Sequence, residues 1–187
     1  VITAAHKTYI ENYINDYEYD LIYNLSTKKY LDYIDINSFI DYWLAVELTM
    51  NSEPSHPKSV FMYKDRDGLL CAGPMWDYDW GTFMPINTQQ YCIKNTLYYP
   101  NLFRSYYFVQ QIKERWPTAK PRFEALIDVF EQEAAKLKNS DQMNISLWPI
   151  ASRVNGDETM SFEEAVASMK QAYVEKLQWL DAQINAM

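Results

Sequence analysis

The sequence predicts an α+β fold that is mainly helical and contains one β-hairpin. Apolar residues recur at helical spacing over most of the chain, whereas residues 59–75 form two strand-like runs around a turn. The chain has 187 residues, 48% of them hydrophobic, which is enough to build one sizeable core. We therefore expect residues 1–187 to form a single domain.

The N-terminal part predicts two helices. Between residues 3 and 24, one helical face carries five apolar side chains, namely Ile10, Tyr13, Ile14, Tyr17 and Leu21. We expect Asn37 to cap a second helix that runs to about Met50 and carries a broad apolar stripe, which indicates burial. Pro54 and Pro57 follow closely, so this helix must end within a few residues.

The middle of the chain predicts the β-hairpin. Residues 59–64 and 69–75 are strand-like, and residues 65–68 (Asp-Arg-Asp-Gly) form a turn between them. Glycine adopts a positive φ at no steric cost, so we expect Gly68 to do so here.

The C-terminal part predicts a loop followed by three helices. Residues 81–99 show no regular period and are interpreted as a loop. One helix covers residues 102–116 and is ended by Pro117, and a second runs from Pro121 to Leu137. The last helix begins at Ser161, because Ser161-Phe162-Glu163-Glu164 is a capping box.

Composition excludes several classes of function. A net charge of −8 argues against a nucleic-acid-binding protein, which would need a basic surface. No apolar run approaches the roughly 18–20 residues of a membrane span. Cys71 and Cys92 are too few for a disulfide framework or a four-thiolate zinc site, although one disulfide or two free thiols stay open. His6 and His56 belong to no metal-binding motif, and four glycines cannot supply a phosphate-binding glycine-rich loop.

The strongest chemical signal is Gly73-Pro74-Met75-Trp76-Asp77-Tyr78-Asp79-Trp80. Asp77 and Asp79 leave the end of the second strand between bulky aromatic residues. Carboxylates in such surroundings are costly unless they are paired or bind a cation. Magnesium is commonly held by one or two carboxylates together with substrate phosphates. The alternative is that the two aspartates cap a turn or pair with basic side chains.

The order of the predicted elements supports the metal-binding interpretation. Protein kinases place a catalytic loop after a buried helix, then a β-hairpin, then the aspartate that binds the metal. This chain has a buried helix that ends near Met50, a polar loop, the hairpin and then Asp77. The order is that of a kinase C-lobe.

Several segments resemble the spore-coat protein H (CotH) kinase family. They are residues 35–51, the hairpin segment 61–68, the metal motif 72–79 and the closing Trp179-Leu180-Asp181. The resemblance extends from about residue 10 to the end of the chain and is most specific between residues 35 and 81. It implies an atypical protein-kinase-like C-lobe whose small hairpin carries the metal motif, with an N-terminal lobe expected before Val1.

The resemblance also implies an activity and a set of site residues. Family members phosphorylate protein serines with ATP and a divalent metal, so we expect ATP, Mg²⁺ or Mn²⁺, and a protein substrate with a Ser or Thr hydroxyl. Asp77 corresponds to the aspartate that holds the metal against the phosphates, with Asp79 assisting. Ser59 falls near the second metal-ligand position. Glu53 stands where the family usually has the aspartate that orients the acceptor hydroxyl.

Two further residues are expected to bind the nucleotide. Asn51 opens the Asn51-Ser52-Glu53 sequence of the catalytic loop, and Lys64 is a local source of positive charge for phosphate. The chain departs from the family pattern because Glu53 is one methylene longer than aspartate and Ser59 replaces a better ligand, asparagine. A misplacement of about 1 Å can lower a rate by roughly a hundredfold. A secreted or cell-surface location follows only from the resemblance.

Two other interpretations compete with the kinase. The chain could be a catalytically silent surface module that binds protein or glycan through an aromatic groove, since residues 78–99 are rich in Tyr and Trp. It could also be a helical scaffold in which the acidic turn is merely structural. Composition does not separate these three.

Overall fold

The computed structural model of the chain describes residues 2–78, 81–148 and 160–187. Its helices and strands are, in chain order, α1 (Ala4–Tyr23), α2 (Ile36–Thr49), β1 (Met62–Lys64), β2 (Leu70–Ala72), α3 (Tyr99–Leu102), α4 (Tyr106–Ala125), α5 (Ile127–Leu147) and α6 (Phe162–Ala186). Short 3₁₀ turns lie between several of them. The predicted α+β class, mainly helical with one hairpin, is confirmed.

Helix α2 lies at the centre of the fold. Its buried apolar side chains are Phe39, Ile40, Tyr42, Trp43, Leu44, Val46 and Leu48. The prediction that Asn37 caps this helix is wrong by two residues. Asp35 is the N-cap, because its extended backbone lets its Oδ1 accept hydrogen bonds from the amides of Asn37 (3.0 Å) and Ser38 (3.2 Å). Met50 ends the helix in a left-handed conformation.

Four other helices contribute buried side chains to the core around α2. These apolar side chains are Tyr17 and Leu21 of α1, Tyr99 and Leu102 of α3, Phe108, Ile112 and Trp116 of α4, and Ala172, Tyr173, Leu177, Leu180 and Ile184 of α6. The face predicted for α1 is only partly buried, since Ile10 is exposed. Helix α5 packs on α4 and α6 but has no buried residue of its own.

The hairpin is confirmed, but its strands are shorter than predicted. They pair antiparallel, from Met62 opposite Ala72 to Lys64 opposite Leu70. Asp67, not Gly68, takes the positive φ in the turn. The backbone of Leu70 also bonds the segment before α2, because its amide donates to the carbonyl of Tyr33 (2.8 Å) and its carbonyl accepts from the amide of Asp35 (2.9 Å). The hairpin is therefore fixed to the start of the central helix.

The prediction that Pro117 ends a helix is wrong, because α4 continues through both Pro117 and Pro121. Each interior proline removes a backbone hydrogen bond, and a proline there costs about 3 kcal/mol. Tertiary contacts on both sides of Pro117 hold the helix in place. Trp116 Nε1 and Lys120 Nζ each donate to the Asp181 carboxylate of α6, both at 2.7 Å.

The predicted helix over residues 121–137 is wrong at both ends, since α4 ends at Ala125 and α5 spans Ile127–Leu147. The predicted start of the last helix is confirmed: Ser161 caps α6, and its amide bonds back to the Glu164 carboxylate at 2.7 Å. Residues 81–98 are irregular apart from a 3₁₀ turn at Pro85–Asn87, as predicted. We call residues 81–98 the post-motif loop.

Two other outcomes concern the cysteines and membrane insertion. Cys71 and Cys92 are both free thiols, so the disulfide left open by the sequence does not form. Among the described residues, no helix has the length and apolar character needed to cross a bilayer.

Candidate functional site

Asp77 is exposed at the exit of the hairpin and faces Ser59. The Ser59 hydroxyl donates to Asp77 Oδ2 at 2.7 Å. Ser59 lies before β1 and Asp77 after β2, so the pairing of the two strands brings these residues together from 18 positions apart. The hairpin therefore joins two of the predicted metal ligands.

Both residues have a strained backbone. Asp77 has a φ of 64° and Ser59 a φ of 53°, in the left-handed region that costs residues with a Cβ about 1–2 kcal/mol. Such conformations persist only where the surrounding structure imposes them, and they concentrate at functional sites. Two left-handed residues joined by a hydrogen bond therefore make the Ser59–Asp77 pair a candidate functional site.

Glu53 lies in a 3₁₀ turn directly after α2. We call residues 52–55 the Glu53 turn. Its geometry is set by Asn51, a buried residue whose Oδ1 accepts from the Glu53 amide at 3.0 Å, and by a bond from the Ser55 amide to the Ser52 carbonyl, also 3.0 Å. Glu53 Oε2 is buried and has no hydrogen-bond partner. A buried acceptor without a donor is destabilising, so this oxygen is suited to a donor or a cation supplied by a ligand.

The chain that leaves Asp77 returns to the Glu53 turn. At Gly81, a Cβ atom would lie 3.4 Å from Ser52 Oγ, and the Phe83 amide donates to the carbonyl of Thr49, the last residue of α2, at 2.8 Å. The segment after the metal motif and the turn that carries Glu53 are therefore neighbours. The candidate site therefore comprises the Ser59–Asp77 pair, the Glu53 turn and residues 81–83, which contact that turn and the end of α2.

The remaining predicted residues differ in placement. Asp79 lies outside the described residues. Lys64 is at the far end of the hairpin, with Nζ 4.8 Å from the ring centre of Tyr13 and 5.4 Å from that of Tyr9, both on α1. Lys64 therefore contacts α1 and the hairpin turn, where it donates to the Asp65 carbonyl at 3.2 Å.

The donor set at the hairpin exit fits a hard divalent cation. Asp77 supplies a carboxylate and Ser59 a hydroxyl oxygen, and magnesium commonly completes its octahedron with waters and phosphate oxygens. Within residues 2–78, 81–148 and 160–187, no cluster of three or more His, Cys, Asp or Glu side chains could hold a metal.

The exposed face beside the Ser59–Asp77 pair is aromatic. Phe61 and Trp76 are 47% and 60% exposed, and their rings meet edge to face at 6.2 Å. Phe61 follows Ser59 by two residues, and Trp76 directly precedes Asp77. An aromatic surface therefore adjoins the acidic turn.

A buried ion pair was missed by the sequence analysis. Glu47 of α2 and Lys176 of α6 are both fully buried, and Lys176 Nζ lies 3.2 Å from Glu47 Oε2. The amides of Cys92 and Ile93 donate to the two Glu47 oxygens at 2.8 and 3.0 Å. We call this set of four residues the Glu47–Lys176 anchor. A signal was available, because each charge interrupts the apolar stripe of its helix and therefore requires a buried partner.

The anchor changes the titration of its neighbours. Burial, reinforced by the Glu47 carboxylate, raises the pKa of the Cys92 thiol to about 12. The same two causes raise the pKa of the Tyr91 hydroxyl to about 12. Both side chains are therefore neutral at physiological pH, and Glu47 faces no negative neighbour from this segment.

Comparison with known proteins assigns the family. The model of the family described as "CotH kinase protein" matches residues 2–180, which include α2, the Glu53 turn, the hairpin and Asp77. A search of curated proteins found no match, and a search of solved structures found none either. The match covers nearly the whole chain. This chain belongs to the CotH kinase protein family.

Proposed function

We propose that the chain is part of a kinase-like phosphotransferase that uses ATP and a divalent metal to phosphorylate Ser or Thr hydroxyls of a protein. Membership of the CotH kinase protein family supports kinase-like chemistry in general. The observation that carries the specific proposal is the strained Ser59–Asp77 pair at the hairpin exit. Its oxygen donors suit a cation, and Glu53 offers a separate carboxylate for the acceptor.

Asp77 and Ser59 would hold Mg²⁺ or Mn²⁺, and we propose that Asp79, two residues further along the chain, assists them. When bound, the cation neutralises the negative charge of the phosphates. The Ser59 hydroxyl donates to Asp77 Oδ2, and its oxygen lone pairs would face an ion that both residues bind. Exposure of Asp77 leaves room for the phosphates and waters that complete the coordination.

Glu53 would orient the acceptor hydroxyl. Its Oε2 lacks a donor, and the hydroxyl of a substrate serine or threonine is a donor of the right size and polarity. A carboxylate that accepts this bond aligns the attacking oxygen, which is the main contribution a protein makes to phosphoryl transfer. We propose that Asn51 shapes this turn and contacts the nucleotide. Lys64 stays a prediction without a supporting contact.

The test is metal-dependent nucleotide binding by the whole chain. Thermal unfolding is followed with ATP alone and with ATP plus Mg²⁺ or Mn²⁺, for the wild type, for Asp77→Asn and for Asp67→Asn, a matched control in the hairpin turn. We expect metal-dependent stabilisation of the wild type and the control, amounting to about 2.7 kcal/mol at a nucleotide concentration one hundred times Kd. Asp77→Asn should abolish it, and also transfer of the γ-phosphate to a protein acceptor. Undiminished stabilisation of Asp77→Asn contradicts the role of Asp77.

A silent binding module is the second candidate, and the exposed Phe61–Trp76 pair favours it. Aromatic surfaces of this kind stack on sugars and capture peptide side chains. The same thermal assay with a panel of glycans distinguishes the two functions. Stabilisation by a glycan, abolished by Trp76→Ala and independent of metal and nucleotide, would support the module and contradict the kinase.

A further inference from the structure

The Glu53 turn is held from two sides by the post-motif loop. At the start of the loop, Gly81 packs against Ser52. Near its end, the Thr96 hydroxyl lies 3.4 Å from the carbonyl oxygens of both Pro54 and Ser55. The orientation of Glu53 therefore depends on where the post-motif loop is fixed.

The Glu47–Lys176 anchor fixes that loop three residues before Thr96. Glu47 accepts the amides of Cys92 and Ile93, and the Thr96 amide donates to the Ile93 carbonyl at 3.1 Å. Lys176 adds bonds to the carbonyl oxygens of Asn87 (3.4 Å) and Gln90. A continuous series of bonds thus leads from the buried ion pair to Thr96 and the Glu53 turn.

Glu47 also helps to shape the turn from within α2. Its carbonyl accepts the amide of Met50 at 3.1 Å, and the neighbouring Val46 carbonyl accepts that of Asn51 at 3.2 Å. Asn51 in turn accepts the Glu53 amide. Backbone bonds at the end of α2 therefore also lead to the Glu53 turn, through Asn51.

The cost of burying these charges argues for a role beyond stability. Removing two charges from water costs several kcal/mol for each ion, and replacing a buried pair by apolar side chains is often neutral or stabilising. Glu47 and Lys176 are both fully buried, with their polar atoms bonded to the post-motif loop and to each other. An apolar pair could fill the space but could not accept two adjacent backbone amides.

We propose that Glu47 and Lys176 are positioning residues for Glu53, holding its turn in place through the post-motif loop and Thr96. This inference rests on the proposed function for its catalytic meaning, because Glu53 is the group proposed to orient the acceptor hydroxyl. The positioning itself is a structural property that can be measured without activity.

The first experiment is hydrogen exchange on the whole chain. The double variant Glu47→Gln/Lys176→Met removes the charges together, and Thr96→Val removes only the hydroxyl that reaches the turn. We expect the amides of Ser55 and His56 to exchange about tenfold faster in both variants, relative to core amides of α2. Ile112→Ala, a buried change on α4, is the control and should leave this ratio unchanged.

The second experiment separates positioning from binding. In a phosphotransfer assay, kcat should fall about tenfold in the double variant and in Thr96→Val, while the affinity for ATP with Mg²⁺ stays within about twofold. If a general loss of stability were the cause, kcat would fall in Ile112→Ala as well. Equal losses of kcat in that control would overturn the positioning role.

The two proposals fail in different ways. A wild-type chain that shows no metal-dependent nucleotide binding contradicts the proposed function, and the exchange ratios still decide whether the anchor holds the Glu53 turn. Unchanged exchange of Ser55 and His56 in both variants overturns the positioning proposal, whatever the chain binds.

Discussion

Glu47 and Glu53 lie on either side of the end of α2, yet their surroundings are opposite. Glu47 is fully buried, and both of its oxygens accept hydrogen bonds from the anchor. Glu53 is half-buried, and its Oε2 accepts none. The carboxylate oxygens of Glu47 are therefore used by hydrogen bonds within the fold, whereas Oε2 of Glu53 is available to a ligand.

A second contrast is between the anchor and the Ser59–Asp77 pair. The anchor joins two regular helices through complementary charges, whereas the Ser59–Asp77 pair is exposed and has two residues in left-handed conformations. We call the anchor with its two helices the anchor side, and the Glu53 turn, Ser59 and Asp77 the open side.

The largest expected difference between the two sides is in stability. Lys176→Met leaves Glu47 as an uncompensated buried charge, which should lower the free energy of unfolding by about 3–5 kcal/mol. Asp77→Asn, on the open side, should change the free energy of unfolding by no more than about 0.5 kcal/mol. Urea unfolding followed by tryptophan fluorescence measures both. The double variant Glu47→Gln/Lys176→Met should recover much of the loss. Equal effects of Lys176→Met and Asp77→Asn would end the distinction between the two sides.

A smaller effect is expected in alkaline solution. The pKa of the Cys92 thiol is about 12 in the folded chain, against an ordinary value of 9.0. Because the folded value is higher, the neutral thiol favours folding fully below pH 9, and this contribution is lost as the pH rises from about 9 to about 12. By pH 10.5 the loss should be about 2 kcal/mol. The free energy of unfolding, measured by urea unfolding at each pH, should therefore decline less steeply in Cys92→Ala than in the wild type. The same decline in both proteins would contradict the raised pKa of Cys92.

The smallest effect concerns backbone strain in the hairpin turn and at the hairpin exit. Asp67 and Asp77 both have a positive φ, which glycine adopts without steric cost. Asp67→Gly should raise the free energy of unfolding by about 0.5–1 kcal/mol. Asp77→Gly also loses the bond from Ser59, worth about 1 kcal/mol, so its net change should be close to zero. Only Asp77→Gly should lose metal-dependent ATP binding. A gain of stability at Asp77 equal to that at Asp67 would show that the Ser59 bond contributes nothing.

Features set by local sequence were predictable. The apolar stripe of α2, the hairpin and the capping box at Ser161 each depend on residues close together in the chain. The hairpin also explains why Ser59 and Asp77, chosen from a resemblance, lie side by side: antiparallel pairing brings its two ends together.

Features set by distant residues were not predictable in the same way. Helix α4 survives Pro117 because its contacts with Asp181 of α6 outweigh a local preference. Glu47 and Lys176 are 129 positions apart, so their pairing depends on how α6 docks on α2. The interrupted apolar stripes could have indicated that each charge needs a buried partner, but not which residue that partner is.

Helix α5 has a consequence for how unfolding of this chain is observed. None of its side chains is buried, so its 21 residues can melt while α2 stays packed. No tryptophan lies within α5, whereas Trp43 is enclosed by the core. Circular dichroism in the far ultraviolet will therefore begin to change at lower denaturant than fluorescence does, and the two probes will describe separate transitions of one chain.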